Sequence, residues 1–434
     1  MKQLLMSVSV LAAATGAAQA AGLDRSGQSV ASIFGADNSA SLSFGYVMPS
    51  VEGEDIGGAG GSYENVGGNY ALMGLSYTNR VNDKFNYTVT FDQPYGADIE
   101  YGSSPLASNL GGTYADLNSR AIGFVGRYQV TPRFSVFGGV RAEQIDAEVG
   151  LNGVAYRNAI ATSAVAGQFN AALPSVAPQL SASELGAALA RAQAGDLSGA
   201  ATIDGTYGAG TFSALSDGFT NTAAGFAATG GYEFEMEADT SPNYLIGMAY
   251  EIPDIALRFA ATYSFETEHE ADTTERLLGT SYDGTVEYVA PASLNLEFQT
   301  GIAADTLLLA GYRWTDFSAV NLVPETLGSD LVNLEDGHRY SIGVGRRFSP
   351  DLSASFTVLY EPEGEGETVS PLGPTDGLLG LTVGALYTKD NIRISGGLNY
   401  SWLGDADAGV ADQPVARFED NSVLGLGLRA EVTF

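Results

Sequence analysis

Six arginines occupy comparable places in this sequence. Arg127, Arg141, Arg258, Arg313, Arg393 and Arg429 each stand one residue out of phase with apolar residues at alternate positions. A guanidinium presents a rigid fork of donors that grips a carboxylate through two parallel hydrogen bonds. The chemistry on offer is therefore recognition of an anionic head group, not the making or breaking of bonds. The same side chains could instead pair with Glu143, Glu266, Glu297 and Glu431, which share their phase, and for any single arginine that pairing is the first reading. Catalysis has little to work with. His269 and His338 are the only histidines and there is no cysteine. His338 follows the acidic run Leu334–Gly337, yet no Ser-His-Asp or metal-ligand spacing surrounds either ring. Neither an enzyme, a cofactor nor a metal centre is expected.

The segments that must position these arginines read as strands. In "FNYTVTF", Phe85, Tyr87, Val89 and Phe91 share one face while Asn86, Thr88 and Thr90 share the other. In "LGLGLRAEVTF", Leu424, Leu426, Leu428, Ala430, Val432 and Phe434 are apolar, with Arg429 and Glu431 on the opposite face. Period two means strand. Fourteen such segments are read from the sequence, beginning near Ser41, Asn69, Lys84, Ser119, Arg133, Asn243, Ile255, Thr285, Thr306, His338, Leu352, Leu378, Ile392 and Ser422. Every second connection is short and made of turn formers: Asn79–Asp83, Val130–Pro132, Ile252–Asp254, Gly301–Asp305, Ser349–Asp351 and Lys389–Asn391. The others are long, roughly residues 51–67, 102–117, 149–231, 269–284, 319–336, 363–377 and 404–421.

A soluble sandwich has no reason to alternate its loops in this way, whereas an outer-membrane barrel with periplasmic turns and surface loops requires it. The expected fold is all-β: a 14-stranded antiparallel transmembrane barrel over residues 40–434, with apolar faces outward and polar faces lining the lumen. The last strand closes on the first, so no edge is left in lipid. A basic residue at the bilayer midplane costs about 2–4 kcal/mol on such a barrel. The lipid faces carry one, Arg346, beside the Ser349–Asp351 turn where the cost falls away. Inside the long connection 149–231, Ser181 and Glu184 form a capping box and Gly195 a stop, predicting one helix. The surroundings of that helix either pack on themselves or offer an apolar landing groove to an oily ligand.

Bulk composition agrees. Of 434 residues only 16% are charged, 55 are glycine, and the net charge is −31. Such a chain repels nucleic acid. The acidic runs Val51–Asp55 and Glu361–Glu367 are expected as solvated loops, with weak divalent-cation bridging to anionic surface lipid as the alternative. Lys2, the apolar stretch Leu4–Ala14 and Ala18-Gln19-Ala20 make residues 1–20 a secretory signal peptide. No later apolar run is long enough to span a bilayer as a helix.

Several segments together resemble the FadL/TodX-type outer-membrane transporters of long-chain fatty acids and other hydrophobic compounds. They are the start Ala21-Gly22 with a short plug-like segment, "FDQPYGADIEY" (Phe91–Tyr101), and Pro291–Ala319 ending in Trp314, Phe317 and Ser318. The hairpin His338–Tyr360 completes the set. The longer hatch of that family, with its Asn-Pro-Ala motif, is not here. The resemblance implies a plugged barrel that passes an oily ligand from surface loops to an internal pocket and out sideways into the membrane, with no energy source. It also implies recognition of Phe434 by the outer-membrane assembly machinery. Outer-membrane lipid and lipopolysaccharide are the surroundings to expect, and the chain is expected to act as a monomer.

On this reading residues 21–39 are the hatch. Val30, Ile33 and Phe34 are its apolar ligand-side residues, with a disordered lead-in as the alternative. Arg127, Arg141, Arg258 and Arg313 are the candidate head-group contacts. Pro94, Tyr95 and Gly96 interrupt the third strand, because proline cannot donate to a ladder. They read equally as a lateral gate or as a strand end rising into its loop. The competing function is a general diffusion porin for small hydrophilic solutes, trimeric and with an acidic constriction. An outer-membrane phospholipase or protease is a distant third.

Overall fold

The computed structural model describes residues 23–57, 60–173 and 177–434. The signal-peptide segment 1–20 and the Ala21-Gly22 start lie outside them. The alternating segments form strands β1 (Ser39–Ser50), β2 (Tyr70–Asn82), β3 (Phe85–Asp92, continuing as Gly96–Glu100), β4 (Tyr114–Gln129), β5 (Phe134–Leu151) and β6 (Tyr232–Ile252). Next come β7 (Leu257–Ser264, continuing as Thr267–Leu277), β8 (Thr280–Ala290, continuing as Ser293–Ala303), β9 (Thr306–Thr315) and β10 (Gly337–Arg347). The last four are β11 (Leu352–Glu361), β12 (Leu378–Lys389), β13 (Ile392–Leu403) and β14 (Ser422–Thr433). Neighbours pair antiparallel throughout. β14 pairs with β1 from Ser39↔Thr433 to Ser50↔Ser422, closing a 14-stranded barrel.

The two faces divide as the alternation requires. Leu42, Phe44, Leu426 and Leu428 are exposed on the outside, while Glu431 is buried within. Rows of exposed apolar residues on most strands would aggregate in water, but on a barrel they form the band solvated by lipid. Tyr400, Trp402, Tyr46 and Tyr360 mark one rim of that band. Arg346 points outward, next to the turn.

Two expectations need correction. Residues 269–284 are not a loop: Thr267–Leu277 and Thr280–Ala290 form a hairpin in direct register from Thr267↔Ala290 to Leu277↔Thr280. Its outward residues Glu268, Glu270 and Asp272 are acidic, so no apolar stripe announced it. Its inward residues His269, Ala271 and Thr273 are buried. The long connection also holds four helices, not one: α1 (Gly153–Ala172), α2 (Ala182–Gln193), α3 (Ser198–Tyr207) and α4 (Thr211–Ala228). Helix α2 has the expected Ser181–Glu184 capping box. The other three carry apolar residues around much of their circumference, so they lacked the one-sided stripe that signals a helix.

These helices cap one side of the barrel mouth. A four-stranded sheet made of Gly53–Asp55, Ser62–Tyr63, Ala406–Val410 and Gln413–Phe418 caps the other. Beneath the sheet lie Tyr63, Tyr101, Leu110 and Phe418; beneath the helices lie Phe226, Tyr232, Phe234 and Phe317. Tyr156 of α1 packs against both groups.

Candidate functional site

The described part of the segment expected as a hatch lies inside the barrel. Its turn of 3-10 helix, Ala31–Phe34, puts Ile33 and Phe34 against the inward residues Val125, Phe137, Leu245, Ala249 and Ala260, with Val30 in the same cluster. Phe34 meets Phe137 edge to face at 5.7 Å between ring centres. The guanidinium carbons of Arg127 and Arg258 each sit 4.6 Å from the Phe34 ring centre. Barrel side chains also hold the hatch main chain. Asn86 Nδ2 donates to Ile33 O (2.8 Å), Thr78 Oγ1 to Ser32 O (3.0 Å), Asn295 Nδ2 to Gly27 O (3.1 Å) and Arg141 Nη2 to Gln28 O (3.0 Å).

The strand break is real and has a specific shape. The β2–β3 ladder runs from Asn82↔Phe85 to Leu75↔Phe91 and then stops. It resumes only at the single bridge Gly67↔Ile99. Across the interval, the Met73 amide donates to the Gln93 side chain instead of to backbone (2.8 Å). Met73 and Leu75 are exposed on the outer face here, so this stretch of wall lies within the lipid-facing band. Orphaned backbone groups in lipid are costly, and the hatch answers them from within. The Arg25 amide donates to Pro94 O (2.8 Å), the Gly96 amide donates to Leu23 O (2.9 Å), and Asp24 and Tyr95 form a bridge. On its other side Tyr95 exchanges both main-chain bonds with the Ser119 hydroxyl at 2.7 Å. The hatch thus stands in for β2 over the three residues singled out by sequence.

Gly96 makes this close approach possible, since a Cβ there would lie 2.4 Å from the Arg25 guanidinium carbon. That guanidinium covers the Tyr70 ring at 4.0 Å. Its Nε is buried and has no hydrogen-bond partner among the described residues.

All six arginines do point inward, but they are not equivalent. Arg127 pairs with Glu251, Arg393 with Glu431 (2.9 Å), and Arg429 with Glu431 (3.6 Å). Arg141 and Glu143 are both buried, and Arg141 Nη1 and both Glu143 oxygens lack hydrogen-bond partners among the described residues. Glu266 does not reach the lumen: Phe265 and Glu266 fall in the break of β7, lose the alternation and are both exposed. Arg313 instead holds Asp24 of the hatch through Nε, with Arg339 Nη2 4.0 Å from the same carboxylate oxygen and Arg339 Nε paired to Glu361. Asp24, Arg25, Gln28 and Arg339 were not singled out from sequence, and Glu361, expected in a solvated acidic loop, instead ends β11 with its side chain largely buried against Arg339. Strand phase alone would have turned Arg339 inward. Nothing in the sequence pointed to the partner of Asp24, 289 residues away.

His269 is buried beside Asp239 (Nδ1···Oδ2 2.8 Å) and stacks on Tyr288. His338 meets the Tyr312 hydroxyl at 3.0 Å. Neither faces a nucleophile, and no cluster of metal-ligating side chains occurs among the described residues.

A family model described as outer membrane protein transport protein (OMPP1/FadL/TodX) matches residues 12–433. The chain belongs to this family. Members are passive carriers of hydrophobic small molecules at the bacterial outer membrane, not enzymes. Among solved structures it is similar to a Pseudomonas aeruginosa FadL homologue, at 12% identity and a TM-score of 0.65, covering 93% of this chain and 92% of that one. The P. putida toluene transporter TodX gives 15% identity and 0.58, with 93% and 92% covered. The Ralstonia pickettii toluene transporter TbuX gives 15% and 0.58, with 98% and 97% covered. At such identities the likeness is one of fold. A search of curated proteins gave no match.

Proposed function

We propose that this FadL/TodX-family barrel carries long-chain fatty acids or other hydrophobic compounds inward from the cell surface. They leave sideways through the β2–β3 interval at Pro94, Tyr95 and Gly96. The observation that supports the reading is the wall break bonded from inside by residues 23–26, which belong to neither flanking strand. An acyl chain gains about 0.8 kcal/mol per methylene on entering an apolar setting, and the lumen offers one from Phe226 and Phe234 down to Tyr95 and Phe317. Release into lipid is then downhill. Val30, Ile33 and Phe34 would line the lower end of the route, and Arg127, Arg141, Arg258 and Arg313 are the cations it passes. A diffusion porin needs an open aqueous lumen, and here the hatch and the apolar clusters occupy it.

The native chain has no cysteine, so one disulfide tests the reading cleanly. The Ser32 and Thr88 hydroxyls lie 3.3 Å apart across the hatch–wall contact. Ser32→Cys with Thr88→Cys, oxidised, should reduce uptake of labelled fatty acid and of toluene to the level of cells lacking the protein, and reduction should restore it. Unchanged uptake in the locked form would remove the gate from the proposal.

A further inference from the structure

We infer that the inner wall beside β6 and β7 holds a site for the ammonium group of a cationic amphiphile, which reaches it sideways through an unladdered interval between those two strands. The inference concerns binding and does not depend on release at the β2–β3 interval. β6 and β7 pair from Leu257↔Ile252 to Ser264↔Leu245, and again from Thr273↔Met236 to Leu277↔Tyr232. Between these blocks, Glu237–Tyr244 and Phe265–Asp272 carry no ladder pairs with each other. Equal lengths of chain separate the blocks on both strands, so the register is kept and the interval can part and close without a slip. Pro242, which has no amide to donate, stands within it. Side chains do much of the bridging. Asn243 Nδ2 donates to Phe265 O (2.7 Å) and to Thr267 Oγ1 (2.9 Å), and His269 Nδ1 meets Asp239 Oδ2 at 2.8 Å. One main-chain bond, Phe265 N to Tyr244 O (2.9 Å), closes the lower end. Tyr244 and Phe265 are exposed there, at the rim of the apolar band, and above them Glu237, Glu266, Glu268, Glu270 and Asp272 are exposed along the edges. Backbone groups at that height meet water instead of lipid, so leaving them unpaired costs little.

Behind the interval the buried polar atoms are short of donors. Glu143, Asn243, His269 and Tyr288 are all buried on the inner face of the wall. Register brings them to one level: Glu143 faces Ser241 and Arg141 faces Asn243, while His269 faces Tyr288 and reaches Asp239. Glu143 Oε1 and Oε2, Asn243 Oδ1 and His269 Nε2 have no hydrogen-bond partners among the described residues. The Asp239 carboxylate accepts from the His269 Nδ1–H, which makes Nε2 an acceptor in the neutral ring. Arg141 Nη1 and the Tyr288 hydroxyl are unpartnered too, which leaves acceptors in the majority. A primary ammonium brings three donors, a hydroxyl one, and a carboxylate or a trimethylammonium none. Charge selects the same ligand. Asp92 and Glu143 face Ala121 from its two sides, and together with Asp239 they outnumber Arg141 at this level. Outside, the acidic edges concentrate cations and repel anions before entry. Inside, Ile145, Ala271, Val286 and the Tyr288 ring belong to the apolar cluster of the lumen and offer a bed for the alkyl chain.

The test uses the full-length mature protein in phosphatidylcholine nanodiscs, with binding to empty nanodiscs subtracted. Dodecylammonium should bind at least about ten-fold more tightly than dodecyltrimethylammonium, which has the charge and the tail but no N–H, and than dodecanol. Equal binding of the two cations would show that the acidic edges alone attract them, and would overturn the site. Glu143→Gln keeps the shape but removes the charge, and should weaken dodecylammonium about ten-fold while changing dodecanol less. Unchanged dodecylammonium binding in that variant overturns the inference as well. For access, Asn243→Cys with Thr267→Cys clamps the interval when oxidised, and dodecylammonium should then associate more slowly than with the reduced form. Equal rates in the two forms overturn entry between β6 and β7. None of these results bears on the Ser32–Thr88 disulfide test of the β2–β3 gate, so the two proposals fail separately.

Discussion

At the scale of single residues, the hatch depends on groups chosen for size as much as for charge. Gly96 leaves room for the Arg25 guanidinium, and an added methyl group would sit 2.4 Å from its central carbon. Gly96→Ala should therefore lift Arg25 off Tyr70 and weaken the two main-chain bonds beside it. The expected outcome is faster hydrogen exchange at the Arg25 and Gly96 amides with protection of β12–β14 unchanged; equal protection everywhere would mean that Arg25 simply swings aside. Phe34 is the apolar counterpart, wedged against Phe137 and flanked by Arg127 and Arg258. Phe34→Ala removes ring packing and two cation–π contacts, each about 0.5–2 kcal/mol. The hatch should become sensitive to protease added from the periplasmic side, while the barrel still resists it.

At the scale of elements, the long strands β3 to β6 carry a row of like charges. Asp98 faces Asp116, Asp116 faces Glu148, and Glu148 faces Glu235, each directly opposite and exposed. Opposed like charges are unfavourable by roughly 0.2–1 kcal/mol per pair. Glu148→Gln breaks two such pairs and should raise the urea midpoint in lipid bilayers by a margin that shrinks as salt is added. A lower midpoint would show that the row is not repulsive. The capping sheet has the opposite arrangement. Arg417 donates to both oxygens of Asp407 at 2.8 and 2.9 Å, and these bonds hold the Asp407 carboxyl below the usual aspartate range. A depressed folded pKa means that the pair supports the sheet above the aspartate's unfolded pKa, and that this support is lost as pH falls through the folded value. In an NMR titration, Arg417→Gln should return Asp407 to the ordinary range. The strand pattern was legible wherever lipid demanded an apolar face. It failed at residues 269–284 because the outer face of that hairpin is acidic, while only its inner residues, such as Ala271, Val286 and Tyr288, join the apolar cluster.

At the scale of the whole molecule, the barrel is plugged below by the hatch and covered above by α1–α4 and the small sheet. Native protein should accordingly give little sugar flux in liposome swelling, whereas deleting residues 23–35 should open an aqueous path and raise it. Rapid sugar flux through the native protein would revive the porin reading. The architecture also separates two tasks. The seam between β14 and β1 is paired along its full length and is closed permanently, whereas the interval between β2 and β3 is closed by a segment that belongs to neither strand.

The sequence by itself determined the barrel. A closed sheet in lipid must alternate its side chains, must pair every strand and must keep charge off the outer face, and each requirement leaves a local, countable trace. It also drew attention to Val30, Ile33 and Phe34, which pack together against inward barrel residues, and to the interruption at Pro94–Gly96, because apolar clustering and proline act over a few residues. Only the tertiary structure decided who meets whom inside. That Arg313 holds Asp24, that Arg25 fills the space left at Gly96, and that Glu266 turns away from the lumen depend on chain crossings and strand breaks that no local periodicity encodes. Lumen charges choose partners by distance in space, and sequence spacing carries no record of it.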